Sequence, residues 1–534
     1  MLRKTKDEIS LTSDHWKSKF EQCKEQSLTQ QKQITELTST NDELNQKLRQ
    51  NYSDRLVSWN RQFWLGVGEK NETQPSKLHF IDPIYELLEL EEDLSKVFQI
   101  PLVQRLARVR QLSFTYLDQP LGQHNRLAHS LGVCKNMELA LSGMLRRNEL
   151  YSSKGIEKLS ERLSGKNIDP TRLVRKGKLL GLLHDIGHGP FGHSLDRYLG
   201  FRLDRDIKAI DKSYSVSYIE TYMADAISAA GFDPADISRI LSHNREKLTS
   251  FDVLLADLID SALDTDRLDF LVRDAYTTGL QLGLINPRLI LEFMAPYEDS
   301  QGRVSLTFQK EALDFLEHFL YARSIMYARC YERDTKVSAE GMLILAVDDF
   351  LPRSVQQPQV DNLMLLDDEM LLDVILTSGD ESRKSVKLAK MLKLGRVYPK
   401  VYQVDKKSSK RLLDWINQEA RKSISASQFI TPHENWAREI AKLAGLRFED
   451  DGWKILVVPP SPNVYREVEV DISILEHDEE GYTALSASDI SPTLEDIQRI
   501  IYEAQQVVRV FVHPELDQQT KRKIRESSAA FFTK

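Results

Sequence analysis

The sequence concentrates side chains that can bind a metal ion or transfer a proton between residues 181 and 196, GLLHDIGHGPFGHSLD. This block holds three of the chain's 12 histidines, together with Asp185 and Asp196. His184 and Asp185 offer an imidazole nitrogen and a carboxylate oxygen from adjacent positions, and divalent ions bind both kinds of atom. A single histidine here would more commonly cap a helix or lie in the core, but the whole cluster predicts a metal site.

A zinc protease motif is the first alternative, because His184 and His188 are four residues apart and could share one helical face. That chemistry needs Glu after the first histidine, on an unbroken helix. This chain has Asp185 in that place, and Gly187 and Pro190 stop the helix shortly afterwards. We therefore expect the His-Asp pair to lie at a helix end and to need two more ligands from elsewhere.

Those ligands are predicted in two other helices. His129 stands in HNRLAHSLGV, at the start of an apolar-periodic helix. In DTDRLDFLVRDAYTTG, Asp266 and Asp274 share a helical face, whereas Asp264 points about 200° away from Asp266. Acids in such a run are more often caps or surface residues. From this run we assign Asp266 to the metal, so the predicted ligand set is His129, His184, Asp185 and Asp266.

The order His129, His184-Asp185, Asp266 resembles the H…HD…D signature of the HD-domain phosphohydrolases. The segments QIPLVQRLARVRQL, HNRLAHSLGV, LLHDIGHGPFGHSLD and DTDRLDFLVRDA are similar to the deoxynucleoside triphosphate (dNTP) triphosphohydrolases. That family includes the animal SAM-and-HD-domain enzymes and the bacterial dGTP triphosphohydrolases. Weaker similarity extends through NLMLLDDEMLLDVIL to VVRVFVHPE and covers about residues 78–534. The signature alone is moderately specific, and the long histidine-rich block in this context is strongly specific.

The elements along the chain predict a mainly α fold in three parts. Residues 1–75 form a predicted helical arm with heptad spacing over Ile34–Leu48 and Asn41 at an a position, which either pairs as a coiled coil or lies on the body. Residues 76–395 show long helical segments such as LARVRQLSFTYL and little strand-like alternation, and the resemblance identifies them as the HD-domain helical core. Residues 396–534 contain KVYQV, WKILVVPP, REVEVDISILE and VVRVFVHPE among helices, which predicts a smaller C-terminal α+β lobe.

Composition and charge restrict the compartment and the partners. The formal net charge of −8 argues against a broad basic face, so nucleic acid is not an expected partner. The three cysteines, Cys23, Cys134 and Cys330, form no CxxC pair. The sequence has no apolar run of about 18 residues, and no apolar stretch follows MLRKTKDEIS. We expect a cytoplasmic protein that is neither secreted nor membrane-spanning.

The resemblance implies attack at the α-phosphate of a dNTP, which gives a deoxynucleoside and intact triphosphate. An ion held by two imidazoles and two carboxylates lowers the pKa of water and draws charge from phosphorus. Such ligation suits iron, manganese, zinc or nickel, and the family implies Mg²⁺ with the substrate phosphates as well. His193 is the predicted general acid for the leaving 5′-oxygen, oriented by Asp196 or another carboxylate. His188 would lie against the phosphates.

Further positions match substrate-binding residues of the family. Three arginines match cations that hold the triphosphate, namely Arg126, Arg267 and Arg323. Asp274 matches the residue that accepts a hydrogen bond from the 3′-hydroxyl. Three residues match those around the base and sugar, namely Gln111, Leu112 and Tyr331, although Leu112 and Tyr331 would suit the core equally well. A wall without a partner for a 2′-hydroxyl disfavours ribose, so deoxynucleotides are the predicted substrates.

The chain departs from the family at several positions. KSYSVSYIE contains no histidine where the family carries a further one, and Ser213 or a neighbour stands there. Phe270 replaces a tyrosine near the phosphates, and Glu332 replaces a base-contacting glutamine of the animal enzymes. These departures bear on rate and base preference and leave the predicted metal site intact.

A regulatory nucleotide site is predicted from the animal members, in which activating nucleotides bridge subunits into tetramers. Five positions match that site, namely Gln99, Gln104, Arg288, Arg396 and Lys400. Gln99 replaces the aspartate that binds the guanine edge, and Ala107 replaces an arginine. A glutamine amide offers one acceptor and one donor, which suits thymine, uracil or adenine better than guanine. We expect a dimer or tetramer that responds to dTTP or dATP more than to GTP, with a constitutive enzyme as the alternative.

The predicted function is therefore a metal-dependent dNTP triphosphohydrolase that serves nucleotide housekeeping or, in a bacterial cell, antiphage defence. Two other functions remain open. One is an HD phosphohydrolase of another nucleotide, such as an alarmone or a cyclic nucleotide. The other is a catalytically weak nucleotide-sensing scaffold, which the missing histidine favours.

Overall fold

The computed structural model of this protein describes residues 54–66, 76–203, 210–242, 248–282, 285–352, 355–420, 427–460, 472–479 and 481–533. The fold is mainly α, as the sequence predicted. The heptad seam and Cys23 lie outside the described residues, and a helix over residues 54–64, α1, belongs to the predicted arm. In the described part of the chain, no helix is both long enough and apolar enough to cross a membrane.

The helices before residue 395 pack around one continuous apolar core. They are α1 (54–64), α2 (Glu92–Phe98), α3 (Pro101–Gln104), α4 (Arg126–Arg147), α5 (Leu159–Gly165), α6 (Pro170–Leu183), α7 (His193–Arg202), α8 (Ile210–Thr221), α9 (Ala224–Ala229), α10 (Pro234–Leu241), α11 (Ser250–Ile259), α12 (Thr265–Thr278), α13 (Pro287–Glu292), α14 (Leu313–Met326), α15 (Asp334–Phe350), α16 (Gln357–Met364), α17 (Asp368–Thr377) and α18 (Lys384–Lys393). The later helices are α19 (Lys410–Ala420), α20 (Ser427–Leu443), α21 (Phe448–Asp451), α22 (Ala487–Ile490), α23 (Pro492–Gln505) and α24 (Gln518–Thr533).

Short strands form three sheets within the described residues. β1 (Leu78–Asp82) and β2 (Glu86–Leu90) form an antiparallel pair. The second sheet has the order β10-β9-β6-β5-β3-β4 and contains β3 (Glu149–Ser152), β4 (Gly155–Lys158), β5 (Met294–Glu298), β6 (Val304–Phe308), β9 (Ser473–His477) and β10 (Tyr482–Ser486). The third has the order β7-β11-β8 and contains β7 (Lys400–Asp405), β8 (Ile455–Val458) and β11 (Val507–Val512). Strands before residue 395 are thus more numerous than the sequence indicated, because four or five residues are too few to show a clear alternation.

The elements predicted after residue 395 are confirmed where the structure describes them. β11 pairs antiparallel with both β7 and β8, and all of its residues are buried. Side chains of α20 and α24, including Trp436 and Phe532, pack on this sheet in a second apolar core. β9 and β10, in contrast, join the sheet that contains β3 to β6. The division of the chain into three domains stays a prediction.

The helix expected at LARVRQLSFTYL does not form as one element. Arg105–Arg108 and Ser113–Leu117 are separate 3₁₀ turns, and Arg110 between them pairs with Asn125 in an isolated antiparallel bridge. Tertiary pairing therefore overrides the local helix propensity, and this part of the prediction was wrong. The pairing brings the segment beside the start of α4.

Each of the three helices that carry predicted metal ligands has a capping side chain at its N-terminus. Asn125 caps α4, Asp169 caps α6 and Asp264 caps α12, each by accepting a backbone N–H from the first turn. A cap of this kind contributes about 1 kcal/mol to helix stability. Asp264 therefore has a structural role, in agreement with its exclusion from the predicted ligand set.

Glycines allow α4 and α6 to cross closely. A Cβ atom at Gly181 would lie 2.7 Å from the backbone nitrogen of Cys134, and one at Gly177 would lie 2.4 Å from a side-chain carbon of Leu141. The backbones can approach this closely because neither glycine carries a side chain at the contact. The crossing places the C-terminal end of α6 beside the N-terminal half of α4, where His129 lies.

Gly181→Ala tests this crossing. The added methyl group would overlap the α4 backbone and force the helices apart, so the free energy of unfolding should fall by about 1–3 kcal/mol, the usual cost of overpacking. The end of α6 should move with it, and the affinity for a divalent transition metal should fall. Chemical denaturation and metal titration measure the two effects.

Gly165→Ala is the matched control. Gly165 is the last residue of α5, and a Cβ atom there would meet nothing within 4 Å. This variant should keep the stability and the metal affinity of the wild type. Equal behaviour of the two variants would contradict the packing role of Gly181.

Candidate metal centre

The four predicted metal ligands meet in the structure. Asp266 Oδ1 lies 2.9 Å from His129 Nε2 and 3.8 Å from His184 Nε2, and the two Nε2 atoms are 3.3 Å apart. Asp185 Oδ1 lies 3.4 Å from His184 Nε2, and its Oδ2 lies 3.9 Å from His129 Nε2. His129, His184 and Asp185 lie close enough together to share one ion, and Asp266 adjoins both imidazoles.

Helix ends present these side chains to one another. His129 lies near the start of α4, Asp266 lies in the first turn of α12, and His184 is the C-cap of α6, directly before Asp185. The helix end predicted at the His-Asp pair is therefore confirmed. The Asp266 side chain is 27% exposed and that of His129 is 1% exposed, so solvent reaches the cluster on the side of Asp266.

Each imidazole forms a hydrogen bond through Nδ1, the ring nitrogen remote from the cluster. These bonds orient Nε2 of both rings towards the cluster. His129 Nδ1 donates to Asp269 Oδ2 at 2.8 Å, and His184 Nδ1 donates to the Gly181 carbonyl at 2.8 Å. These bonds select the tautomer that leaves Nε2 for a metal. Burial disfavours charge on His129, but Asp266 and Asp269 raise its pKa to about 10, whereas burial lowers the pKa of His184. Two Nε2 atoms and two carboxylates fit a divalent transition ion.

A buried chain of charged side chains supports His129 on the Nδ1 side of its ring, away from the ligand cluster. Asp269 accepts two hydrogen bonds from Arg273, both at 2.9 Å, and Arg273 Nη1 donates to Asp82 at 2.7 Å. Burial alone would raise the pKa of Asp269, but Arg273 and His129 hold it below its usual value. Gly132 makes room for this group, because a Cβ atom there would lie 1.8 Å from Asp269 Oδ1. These residues were not predicted from the sequence, although Asp269 and Arg273 have the i, i+4 spacing of a helical ion pair.

Arg126 holds the carboxylate of Asp185. Its Nη1 donates to Asp185 Oδ2 at 2.6 Å, and the residue is buried. Burial alone would raise the pKa of Asp185, but His184, Arg126 and His188 hold it well below its usual range. Gly192 leaves space for the guanidinium, since a Cβ atom there would lie 2.3 Å from Arg126 Nη2. Arg126 Nε is buried and has no hydrogen-bond partner among the described residues.

His188, His193 and Asp196 form a second cluster beside the ligands. His188 Nδ1 donates to Asp196 Oδ2 at 2.5 Å, and His188 Nε2 lies 3.3 Å from Asp185 Oδ1. The rings of His188 and His193 meet edge to face with centroids 4.5 Å apart. Burial and the Arg126 charge favour neutral His188, but Asp185 and Asp196 raise its pKa to about 9. The structure thus brings the three predicted residues together, and the orientation of His193 by Asp196 stays a prediction.

Asp211 lies beside the second cluster and was not predicted from the sequence. It lies in the first turn of α8, and its Oδ2 is 3.9 Å from His188 Nε2. Ser213 is exposed, while Ser215 packs under Gly187, where a Cβ atom would lie 2.5 Å from the serine hydroxyl oxygen. A carboxylate therefore approaches the second cluster in this segment. The signal available was an acidic residue two positions before Ser213.

Arg105 holds the loop that follows Asp185 through its backbone. The buried guanidinium donates to the carbonyls of Ile186 at 3.4 Å, His188 at 2.5 Å and Leu366 at 3.1 Å. Burial lowers the pKa of Arg105. A buried cation that bonds three carbonyls fixes the backbone of this loop against the segment before α17.

Asp368 fixes a later part of the same loop, at Phe191. It accepts from the Phe191 N–H at 2.7 Å and from the Arg110 N–H at 3.0 Å, and burial raises its pKa to about 6. Phe191 has a φ of +58° and is followed by Gly192 at +54°. A left-handed conformation costs a residue such as Phe191 about 1 kcal/mol or more, so surrounding bonds must maintain it. Asp368 supplies one of those bonds.

Asp274 lies about two turns after Asp266 on α12, and Tyr331 contacts it from another element. Tyr331 OH donates to Asp274 Oδ2 at 2.7 Å, and His124 Nε2 lies 2.7 Å from Asp274 Oδ1. A π-helical turn over Tyr327–Tyr331 follows α14 and presents Tyr331, and such turns are frequent at functional sites. His124 was not predicted, although it stands five residues before His129 in the same motif.

Phe270 lies between the ligand cluster and this group. Its ring centroid is 6.5 Å from that of His129 and 6.4 Å from that of Tyr331. Asp266, Phe270 and Asp274 therefore share one face of α12, as predicted. Gln111 donates its N–H to the His124 carbonyl at 3.0 Å, which places the segment Gln111–Leu112 at this end of the site.

The three predicted phosphate cations differ in their surroundings. Arg126 lies at the ligand cluster. Arg267 forms an ion pair with Asp264, so a carboxylate already balances its charge. The Arg323 guanidinium lies 5.6 Å from the ring centroid of Tyr327, and its Nε has no hydrogen-bond partner in the described part of the chain. The phosphate roles of Arg267 and Arg323 stay predictions.

The residues predicted to bind an activating nucleotide lie on separate elements. Gln99 is the C-cap of α2, and Gln104 in α3 donates to the Phe98 carbonyl at 2.6 Å. Arg288 in α13 and Arg396 are exposed, and Lys400 Nζ lies 2.6 Å from Asp334 Oδ2. A nucleotide site at these residues stays a prediction.

Comparison with known proteins places the chain among distant relatives, and no protein-family model matches it. The Mycoplasma genitalium protein MG461 is 31% identical over 268 residues, 49% of this chain and 57% of that protein. The deoxynucleoside triphosphate triphosphohydrolase SAMHD1 of Danio rerio is 23% identical over 402 residues, 65% of this chain and 60% of that enzyme. The HD domain-containing protein L394 of Acanthamoeba polyphaga mimivirus is 25% identical over 304 residues, 55% of this chain and 63% of that protein. The chain spans less than two thirds of the length of each of these relatives.

Solved structures with a similar fold include one from Aquifex aeolicus. The crystal structure of a hypothetical protein from Aquifex aeolicus matches with a TM-score of 0.58 and 20% identity. The match covers 85% of this chain and 100% of that chain. At this level of identity, the similarity concerns the fold alone.

Asp269→Asn tests the support of His129. Asparagine keeps the size of the side chain but offers His129 a weaker acceptor and Arg273 one oxygen instead of two. The affinity for a divalent transition metal should fall about 10–100-fold, the usual effect of losing such a partner. Titration of the metal-free protein measures the affinity, and circular dichroism checks that the fold is kept.

Asp82→Asn is the matched control, because it removes a charge from the other side of Arg273 without touching His129. Its metal affinity should fall much less than that of Asp269→Asn. An equal loss in both variants would show a general electrostatic effect in place of a specific support of His129.

Proposed function

We propose that this chain, which is related to the HD-domain dNTP triphosphohydrolases, hydrolyses a dNTP to a deoxynucleoside and triphosphate in a metal-dependent reaction. The motifs resemble those of HD-domain phosphohydrolases, and the relatives named above support that class of enzyme. The observation that carries the proposal is the convergence of His129, His184, Asp185 and Asp266 beside a buried arginine.

The four ligands would hold a divalent transition ion, which supplies a Lewis acid for a phosphate oxygen and acidifies water for attack on phosphorus. The remaining tasks fall to other side chains of this chain. Asp269 orients the imidazole of His129, and the Gly181 carbonyl orients that of His184, each by accepting a hydrogen bond from Nδ1. The exposed side of Asp266 leaves an approach for substrate.

Arg126 would neutralise charge on the phosphates. Its Nη1 donates to Asp185, so the guanidinium and its charge are already fixed next to the ligands. A fixed, planar guanidinium suits phosphate because its N–H groups point in set directions. Arg126 would therefore bind without first ordering its side chain.

His193 would donate the proton to the leaving 5′-oxygen. It is exposed at the start of α7, whereas its neighbour His188 is buried between Asp185 and Asp196. His193 is thus the imidazole of this pair that substrate can reach. His188 would remain beside the phosphates, with Asp211 on its Nε2 side.

The sugar would lie along α12. Asp266 and Asp274 are eight residues apart, which corresponds to about 12 Å along the helix axis. Phe270 lines the face between them, and the segment Gln111–Leu112 lies beside Asp274 through the backbone of His124. An apolar wall offers a 2′-hydroxyl no partner, which supports a preference for deoxynucleotides.

Product analysis tests the activity. The pure protein, incubated with Mn²⁺ and each dNTP, should release inorganic triphosphate and a deoxynucleoside. Asp185→Ala should lose both the bound metal and the turnover, because it removes a ligand and the partner of Arg126 together. Chromatography measures the products, and elemental analysis measures the metal.

Pyrophosphate or a linear monophosphate as the product would contradict the proposal and favour an alarmone or cyclic nucleotide as substrate. Normal turnover by Asp185→Ala would contradict the site. A wild-type protein that binds metal and dNTP without turnover would favour the nucleotide-sensing scaffold.

Regulation by a nucleotide forms part of the proposal. Exposed Arg288 and Arg396 could bind phosphates between subunits of a homo-oligomer. Gln99 offers one acceptor and one donor to a base edge, and guanine presents two adjacent donors. A deoxynucleotide such as dTTP or dATP would therefore activate better than GTP.

Gln99→Asp should reverse this preference, because a carboxylate accepts from both guanine donors. Hydrolysis of dGTP and the light-scattering mass, each measured with single added nucleotides, should respond to dTTP or dATP in the wild type and to GTP in the variant. Activation of the wild type by GTP above all others, or no response to any nucleotide, would contradict the regulation and leave the hydrolase proposal standing.

A further inference from the structure

We infer that His124 is a positioning residue that holds Asp274 ready to accept a hydrogen bond from a hydroxyl group of the substrate. This inference rests on the proposed function. It adds a residue, His124, through which efficient turnover would depend on a hydroxyl group of the substrate. His124 would act through Asp274 and need not touch the substrate itself.

Both nitrogens of the His124 ring are engaged. Nε2 lies 2.7 Å from Asp274 Oδ1, and Nδ1 lies 2.9 Å from Thr277 Oγ1. A carboxylate oxygen only accepts hydrogen bonds, so Nε2 carries the hydrogen of the first contact. The threonine hydroxyl, also 2.8 Å from the Arg273 carbonyl, holds the other nitrogen. With its side chain 8% exposed, the ring has one orientation, and that orientation presents a donor to Asp274.

Asp274 receives a donor at each oxygen. His124 donates to Oδ1 and the Tyr331 hydroxyl donates to Oδ2, both at 2.7 Å. Two fixed donors hold this buried carboxylate in one plane and offset part of the cost of its burial. Each carboxylate oxygen has room for a second donor. Asp274 can therefore accept a third hydrogen bond without giving up its two existing partners.

The position of Asp274 identifies the part of the substrate that would supply the third bond. Asp266, at the metal centre, and Asp274 lie on one face of α12 about 12 Å apart along the axis. If the phosphates lie at the metal centre, a group at Asp274 belongs to the nucleoside part of the substrate. The sugar of a dNTP has no 2′-hydroxyl, so the hydroxyl group that could donate to Asp274 is the one at the 3′ carbon.

The backbone of His124 joins this acceptor to the neighbouring wall. The Gln111 N–H donates to the His124 carbonyl at 3.0 Å. The chain continues from His124 through Asn125, which caps α4, to the metal ligand His129. A displacement of the His124 ring would therefore affect the hydroxyl acceptor first, since the backbone bonds and the cap do not depend on its side chain.

A competition experiment isolates this role. Wild type and variants are given an equimolar mixture of dGTP and 2′,3′-dideoxyGTP with Mn²⁺, and the two released nucleosides are quantified in the same reaction. The ratio of products reports the ratio of kcat/KM for the two substrates and does not depend on the amount of active enzyme. The wild type should prefer dGTP.

His124→Ala should lower that preference by about 10-fold or more, because the lost orientation affects only the substrate that has a 3′-hydroxyl. His124→Gln should retain most of the preference, since its amide N–H can donate to Asp274. Gln123→Ala, an exposed neighbour whose side chain bonds the Pro120 carbonyl, should behave as the wild type.

An unchanged ratio in His124→Ala, with both rates lowered equally or neither lowered, would overturn the inference and assign His124 a purely structural role. Loss of the preference in His124→Gln to the same degree as in His124→Ala would also overturn it. In either case, deoxyguanosine release by the wild type would still support the proposed function. If the wild type released neither nucleoside, the proposed function and this inference would fail together.

Discussion

The close crossing of α4 and α6 is the constraint on which the metal centre depends. His129 belongs to one helix and His184 ends the other, so the separation of the two backbones sets the 3.3 Å between their Nε2 atoms. Gly181 allows that separation, because any side chain there would meet the α4 backbone. Metal sites tolerate deviations of about 0.2 Å in bond length. Gly181, which is not itself a candidate ligand, thus controls whether the two imidazoles lie close enough to share an ion.

Buried charges surround the centre, and their pairing explains how the fold tolerates them. Asp269 bonds Arg273, and Asp185 bonds Arg126, so each carboxylate retains a charged partner after leaving water. Burial of such pairs adds little to stability, and removal of one partner leaves an uncompensated charge. Arg105 instead donates to three carbonyls and fixes the backbone of the loop that carries His188. These charges direct side chains and loops more than they stabilise the fold.

Helix α12 connects the metal centre to the proposed substrate end. Asp266 faces the ligand cluster, Asp269 supports His129 from behind, and Asp274 lies at the far end of the same helix. A helix keeps these distances constant, so the spacing between the proposed phosphate site and the proposed hydroxyl acceptor does not vary. His188 and His193, in contrast, lie on and after a loop with left-handed residues, which depends on Arg105 and Asp368 for its shape.

Local sequence patterns were enough to predict the candidate ligands and the helix ends that carry them. Coordination chemistry selected His184 and Asp185, helix periodicity separated Asp266 from Asp264, and glycine and proline located the end of α6. These properties act over a few residues, so local sequence suffices to predict them. For the same reason the strands and helices predicted after residue 395 were confirmed.

Contacts between polar groups that are distant in the sequence could not be predicted from it. His124 and Asp274 are 150 positions apart, and Phe191 and Asp368 are 177 positions apart. Asp211 approaches His188 because α8 packs on the loop, and the segment around Arg110 is extended because it pairs with Asn125. The partner of a buried polar group depends on which elements share the core. That packing follows from the apolar contacts of the whole chain, and no local pattern of residues contains it.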